Sequence, residues 1–341
     1  MNVLVTGATG FIGWHAATRL AEAGHRVRVL ARSAERAGRV LGPLGIADED
    51  IVVGDMTDEA AVARALEDCE AVVHAAAAVS VTRPGAGDAF GDNVAGTRNV
   101  IGGACELGCH TVVFVSSLTA IFDPRRETTA DSPLVESATR YGRSKASSDA
   151  FVRELQARGE PVAIVYPSGV IGPDDPGFSE SVRAYRGFLK GTLRTGGTSF
   201  VDVRDLAGLL ERIVSEKRHG RLVANGHYLG WDELTRRIET VTGARVPRIG
   251  VPAPLMRGLG RTLDVVSRLT GRSFPFSGEG IEIATRWRPI ADSSEIAEAG
   301  VRWRPAEETL TDLFRWFLAS GRLPADAVPR LAGGAPRPAD G

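Results

Sequence analysis

Two hydrophobic patterns alternate along the first two thirds of this chain. Short, mostly β-branched apolar runs occur as VLV at 3–5, RVRVL at 26–30, IVV at 51–53, AVVH at 71–74, TVVFV at 111–115 and PVAIVY at 161–166. Runs of that length bounded by glycine and polar residues read as buried strands. Between them, apolar positions recur at helical spacing. Ala16, Ala17, Leu20 and Ala21 share one face after the first run. Residues 58–67, 88–107 and 141–158 continue the pattern after later ones. Strands alternating with helices predict an α/β fold, a doubly wound parallel sheet covered on both faces.

Further on the rhythm changes. A helix is expected from about Arg204 to Ser215, then a strand-like RLVAN, then helices over 231–241 and 309–320. The last has Leu310, Leu313, Phe314, Phe317 and Leu318 at core-face spacing. Residues 252–271 form an amphipathic helix with Leu255, Leu259, Leu263, Val266 and Leu269 apolar and Arg257, Arg261 and Arg268 polar. A helix covering a second lobe is the plainer reading, and its arginines also permit a membrane-surface reading. From about Leu331 the tail is Ala, Gly and Pro with little to bury, and is expected to be disordered.

Composition alters this picture little. At 341 residues and net charge -1, the chain gives no reason to invoke nucleic acid or an anionic membrane. No apolar run is long enough to span a bilayer. Nothing in the cysteine pattern suggests a disulfide framework, so a reducing cytoplasm is expected, and no signal precedes the first strand. Cys69, Cys105 and Cys109 have no metal-type spacing; Cys105 and Cys109 read as buried small hydrophobes, the alternative being a thiol–metal site with His110, and no metal is expected.

Chemistry enters with the stretch NVLVTGATGFIG at 2–13. Gly7 allows a tight turn after the strand, Gly10 lets the backbone approach a pyrophosphate, and Gly13 lets the helix pack close to the sheet. The helix start supplies free N–H groups and a positive dipole end for phosphates. This is the opening of a dinucleotide-binding, Rossmann-type βαβ unit. About 20 residues past such a loop an acidic residue holds the ribose hydroxyls of NAD. Here the position is Arg32, followed by Ser33 and, one turn on, Arg36. A guanidinium pairs with a ribose 2′-phosphate that a carboxylate would repel, so NADP(H) is expected over NAD(H). Asp55 is a candidate for the adenine amine or for capping the next helix. His74 is expected to be a packed strand-end residue.

Tyr141 and Lys145 stand four apart in YGRSK, on one face of a predicted helix. A free phenol has a pKa of about 10, and a nearby ammonium lowers it. Ser117, ending the fifth strand beside Ser116, is placed to polarise a substrate carbonyl. Tyr, Lys and Ser beside a nicotinamide suffice for carbonyl reduction. Asn93 reads either as a helix-start polar residue or as a hydrogen-bonding strut for that site.

With TGATGFIG at 6–13, GDMTD at 54–58, HAAA at 74–77, NVAGTRNV at 93–100, VSSLTA at 115–120, YGRSK at 141–145, YPSGVIGP at 166–173 and FVDVRDLA at 200–207, the chain resembles the extended short-chain dehydrogenase/reductase family. The resemblance implies Ser117, Tyr141 and Lys145 as catalytic residues with Asn93 in support, and Ser116 as the rival serine. It implies Lys145 on the nicotinamide ribose. Gly7, Thr9, Gly10, Phe11, Ile12, Gly13, Arg32, Ser33, Asp55, Met56, Ala75, Ala76 and the turn Pro167, Ser168, Gly169, Val170 would surround the cofactor.

Residues 1–170 would form the cofactor domain with a return at about 198–224. Residues 171–197 and 225–330 would form an interlocked substrate lobe. A homodimer through helices 88–107 and 141–158 is a family-level expectation. The stretches Val79–Ala86, Leu118–Ser137 and Pro173–Gly197 would choose a small carbonyl or secondary-alcohol substrate. Within the family, a reductase is favoured over a nucleotide-sugar epimerase or dehydratase. Arg32 suits NADPH, and Leu118-Thr119 stands where a sugar 4,6-dehydratase would carry Asp-Glu. A non-catalytic NADP-binding regulator would usually lack the tyrosine or lysine that this chain has.

Overall fold

The computed structural model describes residues 1–77, 89–136, 140–270 and 278–333. Seven strands build one parallel sheet: β1 (Asn2–Thr6), β2 (Arg26–Ala31), β3 (Ile51–Val53), β4 (Ala71–His74), β5 (Thr111–Val115), β6 (Val162–Pro167) and β7 (Gly220–Ala224). Their spatial order is β7-β6-β5-β4-β1-β2-β3. The order reverses between β1 and β4, and a doubly wound sheet binds ligands at the carboxyl ends of strands at that crevice. β4, β5 and β6 are buried along their whole length, which explains their unbroken apolar sequences.

The helices between them are α1 (Phe11–Glu22), α2 (Ala34–Leu41), α3 (Glu59–Leu66), α4 (Ala89–Thr97), α5 (Arg140–Ala157) and α6 (Val203–Ser215). α1 packs on α6, and α4 packs on α5. Capping follows local sequence. Ser33 accepts from the Arg36 N–H at the start of α2, and Asp58 accepts from Ala60 and Ala61 at the start of α3. α4 continues through a π turn, Arg98–Gly102, into a last turn, Gly103–Glu106. The long helix expected over 88–107 is therefore segmented; residue 88 lies outside the described residues.

The chain divides into two compact units, each made of three segments. The first holds Met1–Ser168, Val203–Gly226 and Ile290–Arg302; the second holds Gly169–Asp202, His227–Pro289 and Trp303–Gly341. The inclusion of Ile290–Arg302 in the first unit differs from the expected boundary. These residues cap the edge strand: Val223 N–H donates to Ser293 Oγ, Asn225 N–H to Asp292 Oδ1, and Asn225 Nδ2 to the Ile290 carbonyl. The stretch expected to return to the main sheet at about 198 also differs. Gly197–Asp202 pairs instead with Gly169–Ile171 and His227–Gly230 in a three-stranded sheet of the second unit. In that unit Trp287 Nε1 donates to Ser199 Oγ, and Trp231 Nε1 to the Ala284 carbonyl. The helix Ala306–Ala319 buries Leu310, Leu313, Phe314 and Phe317. Of the tail expected to be disordered, Leu331 and Ala332 belong to a short helix, Pro329–Ala332. Residues 334–341 lie outside the described residues.

Candidate active site

The glycine loop between β1 and α1 closes on itself, with the Gly10 N–H donating to the Gly7 carbonyl at 2.8 Å. Gly7 has φ +77°, and a Cβ there would lie 2.7 Å from the Ala76 nitrogen. A Cβ on Gly13 would overlap the Gly7 carbonyl. The loop after β1 and the loop after β4 thus touch backbone to backbone, with Ala75 N–H also donating to the Thr6 carbonyl. Gly10 caps α1 with no side-chain hydrogen bond, so Phe11 and Ile12 open the helix with amides facing the loop. Arg36 Nη2 reaches back to the Thr9 carbonyl at 3.4 Å. Arg32 is exposed at the end of β2 and makes no hydrogen bond or ion pair among the described residues. Close-packed glycines, an uncapped helix start and two guanidiniums form a donor set suited to the phosphates of a dinucleotide.

Asp55 does not cap α3. Its Oδ1 accepts from the amide and hydroxyl of Thr57, and Asp58 is the cap. Met56 packs on Gly96 of α4, and its carbonyl accepts from Asn99 Nδ2. Pro167 ends β6, and Ser168 is tied to the Ala224 and Asn225 carbonyls. Gly169 and Val170 open the strand Gly169–Ile171.

The two serines at the end of β5 have separate surroundings. Ser116 is buried and donates to Asp149 Oδ2 at 2.6 Å. Asp149 Oδ1 accepts from Arg153 Nε at 2.8 Å and from the Tyr166 hydroxyl at 2.9 Å. Arg153 also donates to the Ser132 carbonyl. Burial, reinforced by the Asp149 carboxylate, holds the Tyr166 phenol protonated. Ser117 is half-buried; its Oγ accepts from the Thr119 N–H and meets Thr119 Oγ1 at 2.9 Å. The sequence reading missed Asp149, Arg153 and Tyr166. Asp149 stands four residues after Lys145 and four before Arg153, a spacing that puts all three on one side of α5.

Lys145 is buried, and its Nζ donates to the Val115 carbonyl at 3.0 Å. That fixes the ammonium at the end of β5, two residues before Ser117. Burial pulls its pKa down to about 8, against the opposing pull of Asp149. Tyr141 lies one turn earlier on α5; its side chain lies outside the described residues. Asn93 Nδ2 donates to Ser144 Oγ at 3.1 Å, joining α4 to α5 beside Lys145.

His74 forms a second buried chain. Its Nδ1 meets Thr6 Oγ1 at 2.7 Å and its Nε2 meets Thr97 Oγ1 at 3.3 Å. Thr97 in turn donates to the Asn93 carbonyl. A neutral ring protonated at Nε2 satisfies both contacts. Burial, aided by the Lys145 charge, lowers the His74 pKa to about 3. Among the described residues no group of His, Cys, Asp or Glu is placed to hold a metal. The three thiols are uncrosslinked and burial raises their pKa values.

A parallel sheet whose strand order reverses between β1 and β4, a close-packed glycine loop and a lysine-bearing helix at the end of β5 are the features of a Rossmann-like fold. The chain belongs to the NAD-dependent epimerase/dehydratase family, whose model matches residues 3–225. It is 31% identical over 337 residues to sterol demethylase protein B of Methylococcus capsulatus, spanning 95% of this chain and 100% of that one. It is 27% identical to a putative dihydroflavonol 4-reductase of Synechocystis, spanning 93% of this chain and 94% of that one. The solved UDP-glucose 4-epimerase of Stenotrophomonas maltophila, with bound NAD, superposes with a TM-score of 0.70 at 24% identity, over 94% of this chain and 99% of that one. The family binds nicotinamide cofactors, and the fold is that of its reductases and epimerases alike.

Proposed function

We propose that this protein is an NADP(H)-dependent oxidoreductase that interconverts a ketone or aldehyde and its alcohol. The observation that carries the reading is the Lys145 ammonium anchored to Val115 O, beside Ser117 and one turn from Tyr141. The glycine loop and the α1 N-terminus hold the pyrophosphate, and Arg32 and Arg36 take the ribose 2′-phosphate. When bound, the nicotinamide supplies or accepts the hydride. Ser117 Oγ–H donates to the substrate oxygen as negative charge builds on it. Tyr141 gives that oxygen its proton, and the Lys145 charge makes the phenol a readier acid–base group at neutral pH. Asn93 holds Ser144, and through it the start of α5, in place.

Net reduction is favoured over sugar epimerisation for three reasons. Arg32 replaces the carboxylate expected for NAD. Leu118-Thr119 follows the serine in place of an acid pair. The two relatives cited span nearly all of this chain, and one is named as a reductase. The other is named for sterol chemistry, which makes bulky apolar ketones and alcohols the first substrates to try.

The test follows reduced-nicotinamide absorbance with NADPH or NADH and a panel of steroid, aryl and alkyl carbonyls. NADPH consumption abolished by Tyr141→Phe supports the assignment. Interconversion of nucleotide sugars without net consumption would establish the epimerase reading in its place.

A further inference from the structure

Two tethers, one helical turn apart, join the end of β5 to α5. The first is Lys145 Nζ donating to the Val115 carbonyl at 3.0 Å. The second is Ser116 Oγ donating to Asp149 Oδ2 at 2.6 Å. Their strand partners are adjacent, and Ser117 is the next residue. Their helix partners are four apart and share a face, with Tyr141 one turn before Lys145. The clasp thus fixes the register between the strand that carries the serine and the helix that carries the tyrosine and lysine.

Asp149 also bears on the charge of Lys145. Burial strips water from an ammonium and favours its neutral form. The Asp149 carboxylate, itself wholly buried, opposes that pull, and the Lys145 pKa comes to rest at about 8. Among the described residues the other groups around Lys145 bring no anion. His74 on β4 is neutral, with its pKa at about 3. From β5 come the Phe114 ring, 5.4 Å from Nζ, and the Val115 carbonyl. The Tyr166 phenol of β6 stays protonated, with its hydroxyl on Asp149. α4 offers Asn93 and Thr97, which meet Ser144 and Ser148 of α5. On α5 itself Arg143 is exposed, and Arg153 pairs with Asp149 at 2.8 Å. Arg153 stands one turn further from Lys145 than Asp149 does, so the carboxylate is the charge that Lys145 feels most.

We propose that Asp149 is a positioning residue, which docks α5 on the end of β5 and keeps the Lys145 ammonium charged. Its oxygens are taken by three donors in the interior, so it acts on the Tyr141 phenol through Lys145. The catalytic consequence rests on the role given to Lys145 above; the effect on Lys145 itself does not.

Carbon-13 resonances of the lysine side chains, followed against pH in the full chain, test it. The chain has three lysines, and Lys190 and Lys217 are exposed, so the Lys145 signal stands apart and its loss in Lys145→Met identifies it. Asp149→Asn keeps the shape of the side chain and removes its charge. Lys145 should then titrate about one pH unit or more below its wild-type value. Asp149→Asn with Arg153→Met removes both charges of the pair, which a fold tolerates better than one charge left alone, and should shift Lys145 the same way. Ser116→Ala keeps the carboxylate; it should lower the melting temperature and leave the Lys145 titration in place. With a carbonyl substrate that the wild type reduces, the alkaline limb of kcat/KM should move to lower pH in Asp149→Asn. An unmoved Lys145 titration in both Asp149 variants overturns the proposal. So does an equal shift in Ser116→Ala, or a shift of Lys145 that leaves the alkaline limb where it was. A shifted Lys145 in a protein that turns over no carbonyl would instead overturn the reaction proposed above and leave the assignment of Asp149 to Lys145 standing.

Discussion

Ser116 donates its hydroxyl proton to Asp149 at 2.6 Å, with both side chains buried. Adjacent serines at one strand end thus have separate tasks: the first is committed to packing, and the second is left at the crevice. Asp149 joins β5, β6 and α5 by accepting from Ser116, Tyr166 and Arg153 at once. Asp149→Ala would remove the carboxylate from the Arg153 guanidinium and the acceptor from two buried hydroxyls, at a cost of about 3–5 kcal/mol. Ser116→Ala removes one donor and should cost about 1–2 kcal/mol. Urea unfolding of both variants and of the double variant measures the coupling, which independent sites would not show.

His74 gives the fold an acid sensitivity. Its pKa is about 3 in the folded chain, held down first by burial and then by Lys145, against 6.5 unperturbed. The unfolded chain therefore binds more protons between these values, and stability falls as pH drops from about 6.5 toward 3. The full loss is on the order of 5 kcal/mol. His74→Gln should flatten this part of a melting-temperature profile against pH while lowering stability at pH 7. An unchanged acid slope in the variant would assign it to the carboxylates.

The glycine loop predicts a binding phenotype. Gly13→Ala places a methyl group on the Gly7 carbonyl, so α1 must shift away from the phosphate loop. Titration with NADPH, followed by its fluorescence, should show at least about a hundredfold weaker binding. Gly24→Ala, at a turn where φ is +83° but no atom lies near the added carbon, should lose stability and keep cofactor affinity.

Under the proposed function, cofactor choice rests on Arg32. Arg32→Ala should raise the KM for NADPH about tenfold or more and leave that for NADH nearly unchanged, since only the former has a 2′-phosphate to lose. Arg36→Ala should act in the same direction, and its guanidinium also leaves the Thr9 carbonyl. Equal effects of both substitutions on both cofactors would assign the arginines to the shared pyrophosphate.

Most of the sheet was legible because buried parallel strands are read from contiguous apolar runs. AVVH, IVV and TVVFV are strands at the residues expected. The strand 197–202 was assigned to the wrong sheet because pairing partners far apart in sequence leave no mark on local pattern. The close-packed glycine loop was legible because its glycines have no substitute, as Gly7 and Gly13 show. His74 was read as a packed residue, and its two threonine contacts make it one. The Asp149 network was missed because the Lys145–Asp149–Arg153 spacing is common to any charged helix. Only its burial, with Tyr166 opposite, distinguishes it. The exposed leucines of Ala253–Thr270 carry the same periodicity as a core face, and periodicity alone does not tell water from protein.

The threading of the first unit has a consequence for how the protein is made. Its last segment, Ile290–Arg302, is translated after most of the second unit. Until it leaves the ribosome, the amides of Val223 on the border strand and of Asn225 just past it lack the partners that Ser293 and Asp292 provide. A message cut short before that point yields a sheet with an open margin, a template for aggregation and a mark for proteolysis. Neither unit exists as one continuous stretch of gene, so recombination cannot exchange the second for another without also carrying the clasp that finishes the first.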